Sequence, residues 1–444
     1  MTELTTTSKK IFHNLSTDFL NPWKDQIQSL VLFIVPFIVL QQSLHNSFQV
    51  YWDDHWVLFN TYTSDGLTIA NLKAIFSQFY NGQYSPLNQL YYTIIYSLFG
   101  YKPFYFHFSA LLIHLVNVQL VYRLVKSLLG FVKHLTTAQI SQQAFFVSLI
   151  FGIHPFLIEP VAWISASKIL IYASFYIGAC LCYLNYIRSK KISHLFGSAL
   201  FFLLSFGAKE QAVAFSLTLF TFDYLAGRNF KDKQLWIEKI PFLLLSLVLG
   251  LVTIMSQADN GEGLISMQKK YPFYQTLIFA CYCLFEYFVK CLIPIRLLYV
   301  YPFPNEIGKP LPNFFYFYPT VLLLLTAIGA KLIKDRFYIF CLLFFIVNIL
   351  LTIHIIPISR FSIISDRYVY ISSIGAFMII VGLLFSINTI GKKFQMMLLI
   401  GYVVLLSAYS TQRIKVWYNS DSLKKELKQL IRNRPMDYQK KTNN

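Results

Sequence analysis

Long apolar runs recur from Ile27 to Ala408 with only short polar breaks between them, and that recurrence fixes the solvent in which this chain folds. A helix needs about 20 apolar residues to cross a bilayer, and in hydrocarbon every backbone polar group must be satisfied within the segment. The runs lie near Ile27–Leu44, Phe104–Leu129, Ala144–Ile164, Ile169–Ile187, Leu195–Phe206, Ala212–Ala226, Ile240–Met255, Phe273–Pro294, Phe315–Ile333, Phe337–Ile356, Tyr368–Ile387 and Met396–Tyr409. The pattern predicts an all-α, polytopic transmembrane helical bundle. No room is left for a separate soluble domain. The charged share is only 13%, against roughly 25% in soluble domains.

Basic residues set the sides. Lys9, Lys10, Arg123, Lys126, Lys133, Arg188, Lys190, Lys191, Arg228, Lys231 and Lys233 fall in every second connection, as expected of loops on the cytoplasmic side. Their clustering beside spans assigns the formal charge of +18 to membrane lipid and argues against nucleic acid. Residues 1–26 read as a cytoplasmic tail without a cleavable signal, 27–412 as the transmembrane domain, 51–103 as its first outer loop, and 413–444 as a basic tail. Parity is awkward beyond Met255, and the short basic loops favour a Phe273–Pro294 segment that is re-entrant or interfacial. If Phe273–Pro294 does not cross, the basic breaks Lys331–Arg336 and Lys392–Lys393 fall inside, leaving about eleven crossings among about 11–12 membrane segments. The cluster Lys424, Lys425, Lys428, Arg432 and Arg434 pulls the other way; Leu423, Leu427, Leu430 and Ile431 at helical spacing predict an amphipathic helix capped by Ser420.

Ionisable residues in so apolar a chain mark candidate sites. Asp53 and Asp54 stand in "QVYWDDHW", where partial desolvation raises a carboxylate's pKa and makes it a better base. "FGIHPFLIEPVAWISASK" carries His154, Glu159 and Lys168 between two spans, with Pro155 and Pro160 breaking the helices. A structural hinge and a substrate contact are both open roles there. Lys209 and Glu210 form a charged turn suited to a salt bridge or to a phosphate, and Arg367 in "SDRYVYISSIG" can grip two phosphate oxygens or pair with Asp366. His107 closes "FGYKPFYFH"; Asp223 near Arg228 reads as a structural ion pair. A divalent cation has no ligand spacing to signal it, because a His–x4–Glu pair supplies too few donors, and the six cysteines, without a CxxC pair, read as packing residues.

Taken in order, the blocks "DD…N…DGLT", "SPLNQLYY…FGYKPFYFH", "LIHLVN", "HPFLIEPVAWIS", "AKEQAVAFSLTLFTFDYLAGR", "SDRYVYISSIG" and "VWYNSDSL" resemble the transmembrane and tetratricopeptide-repeat (TMTC) O-mannosyltransferases, and more closely their bacterial relatives within the GT-C superfamily. The resemblance covers about Tyr51 to Leu423. It implies a GT-C type fold and transfer of a sugar, with inversion, from a polyprenyl-phosphate donor (undecaprenyl- or dolichyl-phosphate) to a hydroxyl of a protein or glycolipid acceptor. The base would be Asp53 or Asp54. Lys168, Lys209 and Arg367 would contact the donor phosphate, with His154, Glu159, Glu210, His107 and Asp366 as second candidates. It also implies a bacterial plasma membrane with the site facing the periplasm.

The chain departs from that pattern in three places. Ser167 and Ile169 replace the Arg and Asp that relatives carry around Lys168, Ser216 replaces a proline, and no tetratricopeptide array follows "WYNSDSL". A transporter of lipid-linked saccharides is the rival reading, and it predicts acids at mid-membrane in two matching halves. An inactive scaffold of the same fold is the other.

Overall fold

The computed structural model describes residues 22–261, 270–355, 362–387, 389 and 391–432. The expected N-terminal tail up to residue 21, with Lys9 and Lys10, lies outside the described residues, as does Arg434. Among the described residues the regular structure is helical apart from two isolated bridges, Tyr80 with Gln83 and Tyr301 with Ile364.

Fourteen helices of eight residues or more, leaving out Ile69–Ser77, are labelled here: α1 Pro22–Leu40, α2 Pro86–Phe99, α3 Pro103–Leu129, α4 Thr137–Ile153, α5 Lys168–Ser189, α6 Ile192–Ala208, α7 Phe215–Ala226, α8 Lys233–Asp259, α9 Phe273–Leu292, α10 Phe317–Leu332, α11 Arg336–Ile349, α12 Ser373–Ser386, α13 Lys392–Ile414 and α14 Ser420–Arg432. Local chemistry sets their ends. Proline at the first turn opens α2 and α3, where its missing N–H costs nothing. A reciprocal capping box between Thr136 and Gln139 opens α4. Gly227, left-handed at φ +70°, closes α7. Seven of the described helical segments are long and apolar enough to cross a membrane, and the chain is an all-α, polytopic membrane protein.

The buried core centres on α3, α4 and α5. Helices α3 and α6 pack on α5, α1 and α12 on α4, and α11 joins α7 to α12. At the periphery, α10 turns nearly all of its surface outward, Leu323 and Leu324 among it. A lipid surround covers such a face at no cost.

The helices alternate in direction between two ends of the bundle. At one end Lys126 pairs with Asp25 at 2.8 Å, and Arg336 stacks on Tyr224. There too Asp223 and Glu238 share Arg228, at 3.0 and 2.7 Å, while the wholly buried Lys239 contacts Asp223 and the Tyr183 hydroxyl. Asp223 therefore sits in a closed ion network, and a buried charge is tolerable only with partners of this kind. The other end gathers the connections after α1, α4, α6, α8 and α11.

One feature corrects the sequence picture. The 51–103 loop is mostly helical, with short helices at Asp54–Val57, Thr61–Ser64 and Ile69–Ser77 before α2. The connections on both sides of α9 lie at the same end of the bundle: Ser256 and Gln257 at the end of α8 share a cavity with Tyr299 and Val300 beyond α9. Helix α9 is long enough to cross, and its last third is tied to the segment before α12 through Tyr287, whose hydroxyl accepts from the Ser365 N–H at 2.9 Å. At the C-terminal side α13 runs on through Arg413, past the boundary drawn at 412, and Trp417 stacks on Trp163 at 5.2 Å. Asn419, rather than Ser420, caps α14 by accepting from Ser422 N–H at 2.9 Å.

Removing one member of the buried network leaves the others uncompensated. Lys239→Met is expected to cost about 3–5 kcal/mol, and adding Asp223→Asn should restore part of it. Thermal unfolding in detergent checks both.

Candidate functional site

The sequence breaks α4 from α5 with two prolines, and the chain crosses that gap in three short turns, Pro155–Leu157, Glu159–Ala162 and Ile164–Ala166. This hinge supports the polar cluster at the traversed end.

Asp53 and Asp54 have opposite environments. Asp54 is fully buried; its Oδ2 accepts from the Gln49 N–H at 2.7 Å, and its Oδ1 from the Ser165 N–H at 3.0 Å and the Ser165 hydroxyl. Burial pushes this carboxyl up, and the Ser165 and Gln49 donors pull it back. Both oxygens are committed to fastening the first loop to the hinge. Asp53 is only half-buried, has Trp56 Nε1 at 3.4 Å, and faces a cavity of about 280 Å³.

Lys168, Lys209, Glu210 and Arg367 line that same cavity. Arg367 is held by Glu159 twice, guanidinium to Oε1 at 2.5 Å and backbone N–H to Oε2 at 3.0 Å, and its guanidinium lies over Trp163 and Tyr368. The carboxylate keeps the Arg367 guanidinium charged despite burial. Lys209 pairs with Glu210 at 3.0 Å and lies over the Tyr368 ring. Burial raises the Glu210 carboxyl, but Lys209 and Lys168 outweigh it and hold the group down to about 2. Lys168 donates to a neutral partner, Gln83 Oε1, at 2.7 Å. Three cations thus converge opposite Asp53, two of them already balanced by a carboxylate. Such a cluster can bind an anion and keep one carboxylate beside it as a base.

The remaining sequence candidates lie elsewhere. Asp366 does not pair with Arg367: its partner is Arg413 of α13 at 3.9 Å, and burial pushes the Asp366 carboxyl up to about 8 against that pull. His154 is buried, pushed down to about 3 by that burial, and its Nδ1 accepts from the Phe156 N–H. It acts as a local cap. His107 is buried in α3 away from the cavity lining. Among the described residues no three His, Cys, Asp or Glu side chains are grouped to hold a metal ion.

Sequence reasoning passed over Gln83, Ser165, Trp163, Tyr299 and Tyr368, all at the cavity. Gln83 had a signal: it follows Asn81-Gly82, both at positive φ (+46° and +71°), the pair that a tight reversal with left-handed positions favours. The chain matches no family model and no curated protein.

The two aspartates should separate in a stability measurement. Asp54→Asn exchanges charge-assisted hydrogen bonds for weaker ones and is expected to cost about 1–3 kcal/mol, whereas Asp53→Asn should leave the unfolding midpoint within about half a kcal/mol of wild type.

Proposed function

We propose that this chain is an integral membrane glycosyltransferase that moves a sugar from a polyprenyl-phosphate donor to a hydroxyl of a protein or glycolipid acceptor. The observation that carries the reading is the convergence, in one cavity at one end of the bundle, of Asp53 and the Lys209-paired Glu210 with Lys168, Lys209 and Arg367. The motif resemblance supplies the substrate class. A GT-C type bundle of about eleven crossings in a bacterial plasma membrane, with the cavity facing the periplasm, fits the concentration of basic connections at the opposite end.

The chemistry requires little more than these groups. As the acceptor oxygen attacks the anomeric carbon, its proton passes to the Asp53 carboxylate and a new C–O bond forms. The bond from that carbon to the donor phosphate breaks, and its electron pair leaves on the phosphate oxygen. One displacement inverts the anomeric centre. Charge growing on the leaving phosphate is met by Lys168, which spends no carboxylate on its present contact, and by Lys209 and Arg367. Glu159 and Glu210 fix the two balanced cations, and Asp54 is a positioning residue that sets Asp53 through the loop. Activity requires Lys168 or Arg367 to supply the positive charge of the Arg that relatives carry beside Lys168.

The test is transfer of label from polyprenyl-phosphate sugars to membrane extract by purified protein. Asp53→Asn is expected to lower the rate by about 10²–10⁴-fold while donor binding persists. Arg367→Lys, which keeps charge but loses the fork, should weaken donor binding by about tenfold. Full activity in Asp53→Asn would sink the proposal.

A further inference from the structure

A second, smaller hollow of about 50 Å³ adjoins the cavity, sharing Trp56 and Gln83 with it. Its character is different. Whereas the cavity gathers the cations, no charged side chain lines this notch. Trp56, Tyr62 and Tyr80 line it with aromatic rings, and Gln83, Ser85 and Asn88 are the amide and hydroxyl residues among them. The Tyr62 hydroxyl is itself held on Gln78 at 2.6 Å, and the Tyr62 and Tyr80 rings meet edge to face at 5.3 Å, so the aromatic wall is set before any ligand arrives.

Two buried polar atoms of residues that line the notch have no hydrogen-bond partner. Asn88 is 5% exposed and its Oδ1 accepts no hydrogen bond; the Ser85 hydroxyl is buried and has no partner. Buried polar groups are nearly always paired, and an orphaned acceptor favours whatever donor can reach it. The size admits one or two hydroxyl or hydroxymethyl groups, with the ring that bears them lying in the larger cavity. Ring faces that cover C–H surface, with neutral amides for O–H groups, suit an uncharged polyol.

We propose that the notch seats the hydroxyl-bearing edge of a hexose, and that it sets which sugar is placed beside Asp53. The role of that sugar as a substrate rests on the transferase reading; its binding does not. The sugar can belong to the donor or to a glycan acceptor, and the experiment separates these sources.

Binding of uncharged hexose disaccharides and of a polyprenyl-phosphate hexose to the full chain in detergent is measured by calorimetry, with Asn88→Leu, Gln78→Ala and Asp53→Asn alongside. Asn88→Leu fills the notch and removes the acceptor; Gln78 lies exposed on the rim, so its change leaves the fold intact. The expected result is a loss of about tenfold in affinity for Asn88→Leu, a smaller loss for Gln78→Ala and no change for Asp53→Asn. A loss confined to the disaccharides makes the sugar an acceptor's, and a loss confined to the lipid-linked hexose makes it the donor's. The proposal is overturned if neither sugar binds, if binding ignores Asn88 and Gln78, or if a Ser/Thr peptide alone depends on them. Transfer that proceeds in Asn88→Leu with unchanged KM overturns the notch and leaves the transferase standing. Sugar binding that depends on Asn88 without any transfer does the reverse.

Discussion

The ion pair between Glu159 and Arg367 joins segments 208 residues apart, and the cavity exists because of it. Glu159 stands in the hinge that replaces a continuous helix between α4 and α5; Arg367 stands just before α12. An apolar bundle gives neither charge a reason to be there alone, since each would be desolvated without compensation. Bonded twice, they hold one guanidinium against the Trp163 and Tyr368 rings, in the cavity that Lys168, Lys209 and Asp53 also line. The folding constraint and the chemical one are met by the same contact.

The distribution of charge across the bundle follows the same rule. At the far end Asp223, Glu238, Arg228 and Lys239 form a closed set in which every acid has a base and tyrosine hydroxyls take what remains. At the cavity end the pairing is incomplete by design of the sequence, because Lys168 is matched to an amide and Asp53 to an indole N–H. One end is finished as structure. The other is left with affinity to spend on something outside the chain.

The sequence showed a good deal of this. Apolar runs marked the helices because bilayer thickness sets their length, and basic residues marked the alternation of ends because charge does not cross hydrocarbon freely. Lys168, Lys209 and Arg367 were visible as isolated charges at run boundaries, and such residues meet wherever neighbouring helices end together. What stayed hidden was orientation. A single residue step decides that Asp54 turns inward to Ser165, 111 positions away, while Asp53 turns to the cavity, and no local pattern encodes that choice. Asp366 was equally unreadable, since its nearest cation in sequence, Arg367, is taken by Glu159 and its actual partner comes from α13. The helices within 51–103 were missed because polar, aromatic-rich segments this short show no clear 3.6-residue period.

The C-terminal helix α14 lies close to the opening of the cavity, and this has a bearing on the chain as a piece of architecture. Lys424 of α14 sits 3.8 Å over the ring of Tyr51, two residues before Asp53. A module grafted after α14 would therefore emerge near the mouth of the cavity, already tethered at high local concentration to whatever binds there.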